Sequence, residues 1–143
     1  MAYGAHGRAS AERQKAQDEN AQAAAPGSMT ARAVSKSSAL YRNSAWDLVD
    51  AYRDGTVDLA KVAEADLPDE LRKLTPDQRK AFVEARQAER KRLQARIQTL
   101  NAERETFVRA ELKKKGLAGE NTLDAALVKL VHDQGGKAGW KFE

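Results

Sequence analysis

Residues 75–116 decide the fold of this chain, and they read TPDQRKAFVEARQAERKRLQARIQTLNAERETFVRAELKKKG. The first four combine an N-cap threonine, a proline at the first helical position and a glutamine that can complete a capping box. The stretch ends at Gly116, after three lysines that suit the negative end of a helix dipole. No further Pro or Gly interrupts it, so it predicts one helix over about 76–115, roughly 60 Å long at about 1.5 Å per residue.

Apolar side chains recur along the middle of this predicted helix. They alternate at spacings of four and three, with one arginine among them, at Leu93, Ile97, Leu100, Arg104 and Phe107. This pattern is typical of a coiled-coil seam or a long antiparallel helical hairpin. Three alanines repeat beside it every seven residues, so a second helix can approach closely there. These alanines are Ala88, Ala95 and Ala102.

The composition of the 143 residues limits the size of the core. Leu, Ile, Val and Phe together fall below the roughly 20% found in ordinary cores, so we expect a thin, elongated molecule. The absence of cysteine excludes disulfides, thiolate metal sites and cysteine nucleophiles. No apolar run approaches the roughly 20 residues of a membrane span, and the N-terminus lacks the apolar core of a signal peptide.

The net charge of +4 is unevenly distributed along the chain. Residues 76–116 hold twelve Lys and Arg against six Asp and Glu, whereas residues 44–75 hold eight acids against four bases. An acidic segment folded along a basic helix neutralises much of it internally. The charge pattern therefore weakens the case for phosphate binding.

The remaining segments predict short helices that pack along the long one. Residues 1–28, rich in Ala and Gln, predict either a frayed single helix or a flexible tail. A helical domain then covers 29–143. It contains a strap of short helices at 44–74, the long helix at 75–116, and a terminal helix at 121–135 that is capped by Asn121 or Thr122 and stopped by two glycines. The predicted fold class is all-α, in a coiled-coil-like or helical-hairpin-like arrangement.

A patch of large apolar side chains follows the predicted N-cap Ser44, and the helix that carries it is expected to end at Gly55. Two interpretations remain open: the patch packs on the long helix as core, which is favoured and would bury Trp46, or it is exposed and binds a partner. Two C-terminal aromatics either fold back on a helix or stay exposed. The residues concerned are Trp46, Leu48, Val49 and Tyr52, with Trp140 and Phe142 near the end of the chain.

No pattern in the sequence indicates catalysis or a cofactor. The run from Asp50 to Asp58 resembles a calcium loop only in part, because Tyr52 and Lys61 occupy positions where oxygen ligands are needed. The two histidines lack neighbouring ligands at metal-binding spacing. We therefore expect a non-enzymatic protein without a metal or cofactor site.

A basic face on the long helix is the one candidate for nucleic-acid binding, and it consists of Arg86, Arg90, Lys91, Arg92 and Arg96. Such a face can follow phosphates, with an affinity that falls steeply with salt. No aromatic side chain is interleaved to stack on bases, and two acids lie among the cations. A solvated or internally paired face is the favoured interpretation.

Residues 35–51, SKSSALYRNSAWDLVDA, resemble a segment C-terminal to the von Willebrand factor type A (VWA) domain in a group of bacterial proteins. Weaker similarity extends to the motifs YG at 3–4, AQDENA at 16–21, LPDE at 67–70, TPDQRKA at 75–81 and TLD at 122–124. The metal-binding Asp-x-Ser-x-Ser motif of a VWA domain does not occur in this chain. The resemblance therefore implies the helical appendage alone, as a fragment, a product of start-site choice or a free-standing relative.

The preferred function is a non-catalytic interaction or scaffolding module that binds a protein. Its partner is expected to be a VWA domain or a second copy docked through the long helix. A basic nucleic-acid-binding helix is the alternative. Relatives of the resembled family are often exported, but this chain begins without a signal peptide, so the sequence does not predict a localisation.

Overall fold

The computed structural model describes residues 1–117 and 123–142. In this part of the chain the regular elements are helical, which confirms the all-α prediction, and an isolated antiparallel bridge joins Ala2 to Asp47. The helices are α1 (Gly7–Ala23), α2 (Ser28–Ser37), α3 (Leu48–Arg53), a 3₁₀ turn (Glu64–Asp66), α4 (Asp69–Arg72), α5 (Pro76–Lys114) and α6 (Leu123–Lys137). The chain divides into two compact units, Met1–Thr99 and Leu100–Glu143. No helix in the described ranges is long and apolar enough to span a membrane.

The long helix α5 begins and ends where its local signals predict. The backbone N–H of Gln78 donates to Thr75 Oγ1 at 3.3 Å, and the backbone N–H of Thr75 donates to Gln78 Oε1 at 3.0 Å, which completes the capping box. At the other end Gly116 has φ 67°, and the N–H of Leu117 donates to the carbonyl of Leu112 at 2.9 Å. This is the left-handed glycine cap that a residue without a side chain adopts most readily.

The core of the first unit lies at the N-terminal part of α5. Short helices and turns between α3 and α5 bury their leucines against it, and the buried cluster contains Leu48, Val49, Leu59, Leu67, Leu71 and Val83. Val83 is the one α5 residue in this cluster, because the rest of the helix is solvated or half-buried along the described part. This arrangement confirms that shorter helices pack against one long helix. It also agrees with the small number of large apolar residues.

Helix α3 begins later than its predicted start. The N-cap is Asp47, which accepts the backbone N–H of Asp50 at 3.0 Å, rather than Ser44. The Ser44 hydroxyl instead donates to Asp54 Oδ2 at 2.5 Å. Asp47 is the better cap in this context, because its carboxylate is also held by distant cations. The helix ends before Gly55, which has φ 67° as predicted for a left-handed position.

In the second unit, α6 runs to Lys137, two residues past the point at which the glycine pair at 135–136 predicts its end. The left-handed conformation comes later, at Gly139, and the N–H of Trp140 donates to the carbonyl of Gly135 at 2.9 Å. The predicted apolar face of α6 is 49–75% exposed at Leu123, Leu127, Leu130 and Val131. The predicted caps, Asn121 and Thr122, lie outside the described residues.

Candidate functional site

An open groove of about 610 Å³ lies in the first unit, between α1, α2, the segment that precedes α3, and α5. Its walls are mainly apolar. Met29 and Ala33 come from α2, Trp46 from the segment before α3, and Leu93 and Ile97 from α5. Met29 and Leu93 are 43% and 48% exposed, so apolar surface is available to a ligand.

The floor of the groove is an ion cluster centred on Arg90 of α5. Arg90 Nη1 donates to Asp47 Oδ1 and to Asp50 Oδ1, both at 2.9 Å, and Nη2 donates to Asp47 Oδ2 at 3.1 Å. Asp47 and Asp50 are only 5% and 4% exposed. The bidentate contact is the geometry that a planar guanidinium forms best with a carboxylate. Arg90 therefore fixes the start of α3 against α5.

The first residues of the chain complete this cluster. The amino group of Met1 donates to Asp47 Oδ2 at 2.6 Å, and the N–H of Leu48 donates to the carbonyl of Met1 at 2.8 Å. The N–H of Tyr3 donates to the carbonyl of Trp46 at 3.0 Å. These contacts hold the backbone at Trp46 and just after it, so the indole is carried on a hydrogen-bonded segment of the wall.

The charges of the floor are stabilised in their ionised forms. Burial raises the pKa of Asp47, but hydrogen bonds from Arg90 and from the amino group of Met1 outweigh burial and leave the pKa below its ordinary value. Burial likewise lowers the pKa of Arg90, and its contact with Asp47 outweighs this effect and raises it. Both groups stay charged near neutral pH and neutralise one another.

A second set of contacts fixes the rim. Asp18 of α1 accepts hydrogen bonds from Arg32 and, at 2.9 Å, from Lys36, both of α2. The hydrogen bond from Lys36 is the largest influence that lowers the pKa of Asp18. At the end of α2, the amide of Gln98 on α5 donates to Ser37 Oγ at 2.6 Å. The spacing between α2 and α5 is therefore set by polar contacts rather than by an apolar core that fills the groove.

The structure separates the predicted aromatic patch of the first unit into two environments. Leu48 and Val49 are buried core residues, and Tyr52 packs at the edge of the core while its hydroxyl donates to Glu84 Oε1 at 2.9 Å. Trp46 precedes α3, is half-buried and lines the groove. Burial in the core therefore holds for Leu48 and Val49, whereas Trp46 is only half-buried.

The two C-terminal aromatics belong to the second unit. Trp140 is 71% exposed. Phe142 stacks on His132 of α6, with ring centroids 4.3 Å apart. Neither lies in the groove of the first unit.

The basic face is partly occupied by contacts within the chain. Arg86 pairs with Glu89 at 3.0 Å and lies 5.1 Å from the centroid of the Phe82 ring, and Arg90 forms the floor of the groove. The members that remain exposed, with no ion pair among the described residues, are Lys91, Arg92 and Arg96. Phosphate binding would therefore have three cations rather than five.

Sequence reasoning overlooked most of this site. Met1, Met29, Ala33 and Asp18 carried no local signal, because each acquires its role through contacts with distant segments. Asp47 and Asp50 offered a partial signal, since two acids three residues apart beside an apolar run need a cationic partner when they are buried. Across residues 1–117 and 123–142, no cluster of three His, Asp or Glu side chains is arranged to hold a metal ion.

Comparisons of this chain with protein-family models, with curated proteins and with solved structures find no match.

Proposed function

We propose that this chain is a non-catalytic helical interaction module whose groove binds an amphipathic helix of a protein partner. The observation that carries the proposal is the open, mainly apolar groove of the first unit, whose width is set by polar contacts at its floor and rim. An amphipathic helix recognised through side chains at positions i, i+3, i+4 and i+7 suits such a groove. In a VWA-related protein, which the segment at residues 35–51 resembles, the module would connect the VWA domain to a helical partner.

Charge in the groove argues against an anionic ligand. Four cationic side chains line it, and four anionic side chains pair with them. The cations are Arg32, Lys36, Arg86 and Arg90, and the anions are Asp18, Asp47, Asp50 and Glu89. The amino group of Met1, which also lines the groove and is bound to Asp47, adds a fifth positive charge, so the surplus is a single charge and each of these cationic groups is paired with a carboxylate. The groove therefore attracts phosphates or an acidic peptide only weakly.

The buried polar groups of the groove are already engaged. No buried side-chain nitrogen or oxygen in the described residues lacks a hydrogen-bond partner. A polar small molecule is usually oriented by a few convergent donors and acceptors that are free to receive it. The groove is better suited to apolar side chains, which bind by burying apolar surface and require no hydrogen-bond partners.

The test uses Trp46 as the reporter in a full chain that carries Trp140→Phe. A synthetic helical peptide with leucines at i, i+3, i+4 and i+7 is titrated, and a scrambled peptide of the same composition serves as the control. We expect a saturable shift of Trp46 emission to shorter wavelength with the patterned peptide only. An unchanged spectrum, or equal responses to both peptides, contradicts the proposal.

Two matched variants locate the binding. Leu93 lines the groove and Leu100 lies outside it on the same helix, and they are 48% and 45% exposed. Leu93→Glu is expected to weaken peptide binding at least about tenfold, since it places a charge on a desolvated contact. Leu100→Glu should leave peptide binding intact. Equal loss in both variants would place the binding outside the groove.

A further inference from the structure

We infer that the occupant of the groove is the helix α5 of a second copy of this chain, docked antiparallel in a reciprocal dimer. This inference rests on the proposed function, because it names the partner of the same groove. In each copy, the part of α5 after residue 99 would enter the groove of the other copy. A two-fold axis would then cross α5 between Gln98 and Thr99 and make the interface self-complementary.

The groove exposes one half of a heptad seam. The α5 residues that line it at alternating spacings of four and three are Arg86, Arg90, Leu93 and Ile97. The same spacing continues beyond the groove through Leu100, Arg104, Phe107 and Glu111. Leu100 and Phe107 are 45% and 65% exposed, so the second half of the seam has apolar side chains without cover. In heptad terms, Arg90, Ile97, Arg104 and Glu111 occupy position a, and the other four occupy position d.

An antiparallel register places the two halves of the seam against each other. With the axis between Gln98 and Thr99, Ile97 faces Leu100 of the second copy, and Leu93 faces the aliphatic stem of its Arg104. Further out, Arg86 faces the carboxylate of Glu111 of the second copy. The layer of Ile97 and Leu100 lies at the centre, the layers that contain one arginine lie further out, and the Arg86–Glu111 pair lies at the ends, where charged groups can reach water.

Between the Leu93–Arg104 layer and the Arg86–Glu111 layer, Arg90 faces Phe107 of the second copy. The N–H groups of Arg90 point in the plane of the guanidinium toward Asp47 and Asp50, at 2.9–3.1 Å. The faces of a guanidinium held in this way remain available for stacking, and an aromatic ring over such a face is attracted by a cation–π interaction. Arg90 can therefore receive Phe107 without releasing either carboxylate.

The flanking charges favour the antiparallel orientation. Positions g face each other on one side of an antiparallel seam, and they bring Arg96 next to Glu103 of the second copy, twice by symmetry. Both side chains are exposed, and neither forms an ion pair within the described ranges. In a parallel pair, Arg96 would instead face Asn101, which carries no charge. Antiparallel docking is thus the arrangement in which Arg96 and Glu103 of the second copy form an ion pair.

The test measures the oligomeric state of the full chain by sedimentation equilibrium over a wide concentration range. We expect a monomer–dimer equilibrium. Arg96→Glu should raise the dimer dissociation constant roughly tenfold, because two attractive pairs become repulsive. Glu103→Arg should do the same, and the double variant Arg96→Glu/Glu103→Arg should restore wild-type association. The inference is overturned if the single changes leave the dimer dissociation constant unchanged, or if the double change fails to restore the wild-type value.

The variants Leu93→Glu and Leu100→Glu separate this inference from the proposed function. Reciprocal docking requires both leucines, so each change should weaken the dimer strongly, whereas only Leu93→Glu should weaken binding of the patterned peptide. A chain that stays monomeric at all concentrations and still binds the peptide overturns self-docking and supports a different protein as the partner. A monomeric chain that fails to bind the peptide overturns both proposals.

Discussion

Replacing Arg90 by methionine tests the ion cluster that holds the groove together. The change keeps most of the apolar stem and removes the guanidinium. Asp47 then retains the N–H of Asp50 and the amino group of Met1, at 3.0 and 2.6 Å, and Asp50 retains the N–H of Asn43 at 2.9 Å. Removing one partner of a fully buried ion pair costs about 3–5 kcal/mol. Because Arg90 is about one-third exposed and both carboxylates keep other donors, we expect a loss of about 2–3 kcal/mol.

The assay is urea unfolding followed by ellipticity, with Arg92→Met as the matched control. Arg92 lies on the same helix and is exposed, so its replacement should change the free energy of unfolding by less than about 0.5 kcal/mol. Equal effects of the two changes would refute the argument that Arg90 compensates buried charge.

The pH dependence of the Arg90→Met effect has a defined sign. The folded-state pKa of Asp47 lies below the ordinary value of 3.8, so the stability that it contributes is present above about pH 4 and is lost as the pH falls through the lowered value. Once Asp47 is protonated it carries no charge, so its burial is no longer stabilised by the positive charge of Arg90. The difference in the free energy of unfolding between wild type and Arg90→Met should therefore become smaller in acid. A difference that stays constant from pH 7 down to pH 2 would contradict this mechanism.

Four further changes probe the core, a turn, helix α6 and the groove wall, by melting curves and by ellipticity. Leu71 is fully buried, so Leu71→Ala should cost about 2–5 kcal/mol. Gly55→Ala places a side chain at φ 67° and should cost about 1–2 kcal/mol, whereas Gly136→Ala, inside α6 with open space around it, should increase helix content. Trp46→Ala should cost clearly less than the roughly 3–5 kcal/mol of a fully buried tryptophan, and an equal cost would show that Trp46 is core.

Local signals predicted the long helix, because its capping residues act on their immediate neighbours. The hydroxyl of Thr75 and the amide of Gln78 satisfy each other within one turn, and Gly116 relieves strain at its own position. Helix α5 therefore has its predicted bounds to within a residue at each end. The start of α3 was not predictable in this way, because both Ser44 and Asp47 are good caps. The choice of Asp47 depends on Arg90, 43 residues away.

The groove could not be predicted, because its residues come together only after the helices have packed. Arg90 carries the same local signal as Arg92, two residues away, yet one is the floor of the groove and the other is exposed. Whether an arginine of α5 is buried or exposed depends on which face of the helix packs against α3. Trp46 is similarly ambiguous, since an indole beside a core leucine can belong either to the core or to a groove wall. Charge and hydrophobicity along the chain do not distinguish these cases.

The contacts of the first four residues have a consequence for synthesis on the ribosome. Met1 forms a backbone hydrogen bond with Leu48, and Gly4 forms one with Asp66. The partner of Asp47, Arg90, is translated roughly 40 residues after it, which takes several seconds at about 5–20 residues per second. Residues 1–4 therefore lack these contacts at a stage when α1 and α2, which are adjacent in sequence, can already pair. The first unit is complete only when α5 has been synthesised, so a ribosome stalled with Arg90 still inside the exit tunnel is expected to carry a helical hairpin of α1 and α2 with residues 1–4 accessible to protease.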